Sequence, residues 1–431
     1  MNEQQSALRC TEATADFIRR HCDDDVPALA LKASARTDID LAYALNQIAG
    51  QQAARRKLPS WAASAGVVYP PHISMEQCSS ESTALYKSDV AARLSTESGF
   101  IDMTGGFGVD FTFIARRFPW AVYVERQQCL CDIAAHNFRV LGLENAEVVC
   151  GDGTLYVQSA QRHASLIYAD PARRDTAGAR TFAIADCTPD VTRHIDTMLC
   201  RSEWVMIKLS PMLDWRKAVA DIGSSVREVH IVSVDNECKE LLLVASLHGN
   251  DGRLMLHCVN MGSRESHITF ALDAATLRCA DDDAAACRDA KALALLADGF
   301  TGGAADGDDA LCLYEPNASL MKAGCFDVLE RRYRLTAISA NSHLFVRLGA
   351  PCADFPGRVF AVRSVTSMNK KELRAALAST DRANVAVRNF PMSAETLRRR
   401  LKLKDGGSTY LFATTLGDGS HRLLFTTQTF F

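Results

Sequence analysis

Chemistry-bearing residues cluster first in the stretch Phe100-Ile-Asp-Met-Thr-Gly-Gly-Phe-Gly-Val-Asp110. An apolar run ends on one carboxylate, Asp102, and passes through Thr104 into Gly105, Gly106 and Gly108. Glycines at such a turn let the backbone reverse tightly and let a ligand approach the main chain. A helix start behind the turn brings unpaired N–H groups. The pattern predicts a pocket for a nucleotide-type cofactor and leaves open which one. The spacing is not the dinucleotide fingerprint, because Phe111 stands where Gly108-x-x-Gly would close.

Further polar groups follow, each just past an apolar run. Glu125 closes Ala121–Glu125, where an acid can accept both hydroxyls of a ribose. Gly151-Asp-Gly153 follows Ala146–Cys150. Asp152 there either accepts from an adenine amino group or caps the next helix ahead of Leu155. Asp170-Pro-Ala-Arg173 ends Leu166–Ala169, and Asp170 also suits an Asx turn before proline. Arg173 or Arg174 can hold a phosphate bidentately or pair at the surface. Lys208, in Ile207-Lys-Leu-Ser-Pro211, can contact phosphate, serve as a base if desolvated, or reach to solvent. Tyr86 and Lys87, just before the first strand, either touch the cofactor or pack on a helix surface.

These groups need a scaffold that brings strand ends together. From Phe100 onward short apolar runs alternate with helical patterns: Phe100–Met103, Ala121–Glu125, Ala146–Cys150, Leu166–Ala169, Trp204–Leu209, Val229–Val234 and Leu241–Leu247. Continuous apolar strands separated by helices predict a parallel sheet covered on both faces. Five helix-linked strands and two closer ones predict a seven-stranded, doubly wound α/β sheet with an antiparallel edge hairpin. All four acids then stand at C-terminal strand ends, facing one crevice.

Residues up to about Leu94 read as helical, broken at Tyr69-Pro-Pro-His. After Gly249 the pattern changes to paired strands, Leu254–Val259 and His267–Leu272. An acidic Asp281-Asp-Asp stretch, a loop at Thr301-Gly-Gly, a helix over Asp327–Arg332 and a strand over Leu344–Arg347 follow. After Pro356 comes a strand–helix–strand–helix unit ending in a hairpin across Gly417-Asp-Gly. The domains expected are 1–98, helical; 99–248, the α/β sheet; and two small α+β domains, 249–355 and 356–431.

At this point the sequence resembles the class I S-adenosylmethionine-dependent methyltransferases, over roughly Phe100 to Leu247. The resemblance implies that the Asp102 turn holds the methionine moiety, Glu125 the ribose and Asp152 the adenine. Asp170-Pro would face the methyl group and substrate. Glu76-Gln-Cys-Ser-Ser-Glu81, Tyr314-Glu-Pro-Asn317, Asn341-Ser-His-Leu344 and Leu401-Lys-Leu-Lys-Asp-Gly-Gly407 are similar to bacterial methyltransferases with a THUMP-like C-terminal domain. That likeness makes 249–355 ferredoxin-like and 356–431 THUMP-like, and implies an RNA substrate by analogy. Methylases of exocyclic amines carry Asp/Asn-Pro-Pro-aromatic at the Asp170 position, where this chain has Ala172 and Arg173. Asp-Pro-Ala-Arg is similar to the motif of uracil C5 methyltransferases, which also need a cysteine nucleophile.

Composition bounds the alternatives. No apolar run is long enough to span a bilayer, and no secretory pattern opens the chain, so a cytoplasmic location is expected. The fifteen cysteines have no zinc spacing, so no metal is expected. From Pro356 to Phe431 there are 13 Lys+Arg against 5 Asp+Glu, while the whole chain carries −3. A basic module on an acidic body predicts an anionic partner, RNA above all, although Arg398–Lys404 on a helix could be a solvated face. The competing readings are an RNA-binding protein without turnover, a methyltransferase for a small molecule or protein, and a nicotinamide dehydrogenase. The missing third glycine and Asp170-Pro weigh against the last.

Overall fold

The computed structural model describes residues 10–34, 36–173, 184–248, 252–262, 265–273, 291–296, 310–378 and 380–429, without the side chain of Arg173. The expectations for Arg174, the Asp281 stretch and the Thr301 loop lie outside these residues, as does the role of the Arg173 side chain. The chain divides into two compact units: Met1–Val232 with Lys239–Leu256, and Ser233–Cys238 with His257–Phe431.

Among the described residues of the first unit, six helices precede the sheet: α1 (Glu12–His21), α2 (Val26–Lys32), α3 (Leu41–Lys57), α4 (Pro59–Ala62), α5 (His72–Gln77) and α6 (Glu81–Arg93). Side-chain caps start them where the sequence offers an acceptor. Thr11, Asp25, Asp40 and Ser80 each accept a backbone N–H three residues on. Trp61, Tyr69 and Met75 from this part pack with Phe107 in the glycine turn and with Val109 and Phe113 after it, so this stretch shares a core with the sheet domain. Phe17, Leu29, Ala44 and Ile48 of α1–α3 form a separate core.

The strands are β1 (Gly99–Asp102), β2 (Ala121–Glu125), β3 (Ala146–Cys150), β4 (Ala164–Ala169), β5 (Ala172–Arg173), β6 (Cys187–Thr188), β7 (Ser202–Leu209), β8 (Val226–Val234) and β9 (Glu237–Ala245). Their order is β8–β9–β7–β4–β1–β2–β3. β1 is parallel to β2 and β4, β2 to β3, and β4 to β7, while β9 runs antiparallel to β7. β1 and β4 are buried at every position, as continuous apolar strands under helices on both faces must be. The doubly wound α/β expectation holds. Beyond it, β5 and β6 form a two-residue antiparallel pair just past Asp170.

β10 (Leu254–Met261), which leads from the first unit into the second, and β11 (Ser266–Leu272) are neighbours. A seven-stranded sheet follows, from β12 (Leu311–Pro316), β13 (Thr336–Ala337), β14 (Phe345–Leu348), β15 (Gly357–Thr366), β16 (Asn384–Arg388), β17 (Thr409–Thr415) and β18 (His421–Gln428). Its order is β13–β14–β12–β15–β18–β17–β16. β12 pairs with β15, so sequence on both sides of Pro356 shares one sheet. Leu313 and Val346 share a core with Phe360 and Phe412. Among the described residues, no helix is long and apolar enough to cross a membrane.

Candidate functional site

The chain runs β1, β2, β3 outward and then returns to β4 on the other side of β1. Open α/β sheets bind ligands at such a switch point, outside the C-terminal strand ends. In-register pairing aligns those ends: Asp102 lies beside Tyr123 and Tyr168, Glu125 beside Cys150, and Ala169 beside Ile207. Asp102, Glu125, Asp152, Asp170 and Lys208 therefore stand along one edge.

The glycine turn is held against β2. Gly105 donates its N–H to the Val124 carbonyl, and a Cβ there would lie 2.3 Å from the Tyr123 ring. Gly106 and Gly108 have φ of +58° and +82°, the left-handed region that favours glycine. Glu125 ties the turn down: Oε2 accepts the Gly106 N–H at 3.0 Å and Oε1 the Gln127 N–H at 2.8 Å. Gly153 faces the Met103 carbonyl, which a Cβ would approach to 1.9 Å.

Asp102 is only 2% exposed. Its Oδ1 accepts the Thr104 N–H at 2.9 Å and the Thr104 hydroxyl at 3.3 Å. Among the described residues no cation pairs with it. Burial, only partly opposed by the Thr104 hydrogen bonds, pushes its pKa up to about 8. Thr104 Oγ1 also accepts the Asp170 N–H at 2.7 Å, so one hydroxyl joins the ends of β1 and β4.

Asp152 caps the helix Gly153–Ser159, whose Thr154 and Leu155 N–H groups donate to Oδ1. The capping alternative is thus realised at Oδ1, while Oδ2 takes Arg126 at 2.5 Å. Hydrogen bonds, that of the Thr154 hydroxyl foremost, hold this carboxyl down at about 2.

Lys208 Nζ lies 2.6 Å from Asp170 Oδ2. Burial by itself would lower the ammonium, but the carboxylates of Asp170, Asp110 and Glu240 outweigh it and raise its pKa. Lys208 therefore stays a cation. This corrects its reading as a base, because desolvation is overcome by three nearby acids.

Lys87 is fully buried, so helix-surface packing does not describe it. Its ammonium donates to both Glu240 oxygens at 2.8 and 2.7 Å and to Ser79 Oγ at 3.0 Å, and lies 3.2 Å from Asp110. Asp110 Oδ2 accepts from Ser79 and Tyr168 hydroxyls at 2.7 and 2.8 Å. Burial alone would raise the Asp110 pKa, but Lys87 and Lys208 hold it below its ordinary value. The Lys87 charge thus belongs to an internal network, while Tyr86 joins a separate one: its hydroxyl bonds His230 Nδ1 at 2.7 Å, and His230 Nε2 lies 2.8 Å from Glu228. Sequence reasoning missed Asp110 and Glu240 as partners. The available signal was a lone acid beside the apolar run Leu241–Leu247, since a charge inside a buried strand demands a counterion.

Residues 357–428 match the model of a THUMP domain-like family, and residues 313–356 that of a ferredoxin-like domain. None of the curated proteins matches the sequence. Among solved structures, a "putative methyltransferase" from Porphyromonas gingivalis W83 is 28% identical and covers 100% of both chains, with a TM-score of 0.78. An rRNA methylase from Streptococcus thermophilus (17% identity, TM-score 0.30) covers 38% of this chain and 96% of its own. A tRNA m1G37 methyltransferase from M. jannaschii (13%, 0.27) covers 38% and 49%.

Proposed function

We propose that this chain, which carries a THUMP-like domain and shares its fold end to end with the Porphyromonas gingivalis protein, is an S-adenosylmethionine-dependent methyltransferase acting on a base in RNA. The carrying observation is Asp102: a buried carboxyl at the switch point, with no cation paired to it among the described residues, beside a turn whose Gly106 and Gly108 take the left-handed backbone. An amino-acid ammonium would supply the missing charge, and the methionine end of the cofactor has one.

In this reading Asp102, Thr104, Gly105, Gly106 and Gly108 hold the methionine moiety, Glu125 the ribose and Asp152 the adenine. When bound, the cofactor supplies a methyl group on a sulfonium. The protein's part is to orient the acceptor and exclude water. Asp170, fixed by Lys208 and by its N–H to Thr104, offers a carboxylate to the acceptor's N–H groups. Lys208 holds that carboxylate in place through the 2.6 Å contact to Oδ2. A base inside a duplex hides its reactive edge, so a flipped or single-stranded nucleotide is the expected substrate. The basic C-terminal module would capture the RNA.

Calorimetry with S-adenosylhomocysteine tests the cofactor, and Asp102→Ala should abolish the binding. Labelled methyl transfer to RNA from cells lacking the protein tests the substrate. Absence of binding refutes the cofactor assignment. Binding without transfer to any RNA class moves the substrate to a small molecule or protein, or leaves an RNA binder without turnover.

A further inference from the structure

We infer that one edge of the C-terminal module, built from Arg382, Arg399, Arg400, Lys402 and Lys404, is a docking surface for the sugar-phosphate backbone of RNA. This rests on the RNA reading above and adds where and how the polymer is held.

The edge is assembled by tertiary pairing. Helix Ala394–Leu401 ends with Leu397 and Leu401 buried, leaving Arg399 and Arg400 exposed on its last turn. Lys402 turns left-handed at φ 57°, ending the helix, and Leu403 goes back into the core. The alternation Leu401, Lys402, Leu403, Lys404 thus sends both leucines inward and both lysines to solvent. Lys404 bridges in parallel to Arg382, just ahead of β16 and β17: its N–H donates to Asp381 O and its carbonyl accepts from Ala383. Residues far apart in sequence become neighbours. The Arg382 stem runs past Gly407, where a Cβ would come within 3.3 Å of Arg382 Cβ.

A solvated basic face would ordinarily carry acids interspersed among its cations. Here Asp405 is used by Arg398 at 2.7 Å, and Asp381, exposed beside Arg382, stands against five cations. Among the described residues Arg382, Arg399, Arg400, Lys402 and Lys404 have no ion pair. Arg399, Arg400 and the C-cap Lys402 sit at a helix C-terminus, where the macrodipole favours them; Arg382 and Lys404 lie outside it and need another explanation. Cations without base-reading groups grip phosphates, so binding should be insensitive to sequence and steeply dependent on salt. Selection of the modified nucleotide then falls to the Asp170 end of the other unit.

The test is fluorescence anisotropy with a labelled single-stranded oligoribonucleotide at several KCl concentrations, on the full chain. The triple variant R382Q/K402Q/K404Q should weaken binding at least tenfold. It should also lower the slope of log K against log salt by about 2, at roughly 0.7 per lost phosphate contact. Exposed Gln substitutions should leave melting and S-adenosylhomocysteine binding unchanged. A control triple on the neighbouring basic helix, K370Q/K371Q/R374Q, should keep the wild-type slope. Equal effects of both triples, or none from the first, overturn the edge while leaving the RNA reading intact. No RNA binding by the wild type refutes both. Binding to phosphatidylglycerol vesicles in preference to RNA, lost in the first triple, overturns the assignment of the partner.

Discussion

Replacing Asp102 by asparagine should flatten part of the pH dependence of stability. The folded carboxyl has a pKa of about 8 against 3.8 in a solvated chain. Between those values the native state keeps a proton that the unfolded state has lost, so stability falls as pH rises. The slope is about 1.4 kcal/mol per pH unit, and the accumulated loss at pH 7 is about 4 kcal/mol as an upper bound. Asparagine keeps an oxygen for the Thr104 N–H and hydroxyl and carries no charge at any pH. Thermal melts of wild type and D102N from pH 5 to 7.5 should therefore diverge, with the variant gaining roughly 4 °C per pH unit for a unit of this size. Parallel profiles would show that Asp102 ionises as an ordinary carboxyl and refute the reasoning. The cofactor adds a second arm. An ammonium beside Asp102 lowers its pKa, so S-adenosylhomocysteine binding near pH 7 should release a proton. Affinity should rise from pH 6 to 7.5 in the wild type. Calorimetry in buffers of different ionisation enthalpy reads this directly, and D102N should bind weakly without proton release.

Other perturbations follow from the same geometry. Lys87→Met strands Glu240 and Asp110 in the core and should cost about 3–5 kcal/mol in urea unfolding, with the double variant Lys87→Met/Glu240→Met recovering part of it. Gly153→Ala drives a Cβ onto the Met103 carbonyl; a loss of about 1–3 kcal/mol and of cofactor binding is expected, by melting and calorimetry. Thr104→Val keeps the shape but strands the Asp170 N–H, which should cost about 1–3 kcal/mol and weaken S-adenosylhomocysteine binding.

Local sequence determined a good deal. The alternation of apolar runs and helical patterns from Phe100 onward placed β1, β2, β3, β4, β7, β8 and β9; it is clearest at β1 and β4, where burial at every position selects apolar residues. The glycine turn was legible because Gly106 and Gly108 occupy backbone conformations that other residues adopt at a cost. Asp152 kept two readings in sequence, and helix capping is decided by atoms two and three residues away.

Partners distant in sequence were decided only by the fold. Lys87 meets Glu240 across 153 positions, and no periodicity encodes that distance. Lys208 looked able to lose its proton on burial; the acids that keep it charged arrive from β4, β9 and the helix after the glycine turn. Arg382 and Lys404 become one edge only through the parallel pairing of β16 and β17. Side-chain type and short-range spacing specify which elements form, whereas the environment of a charge depends on everything packed around it.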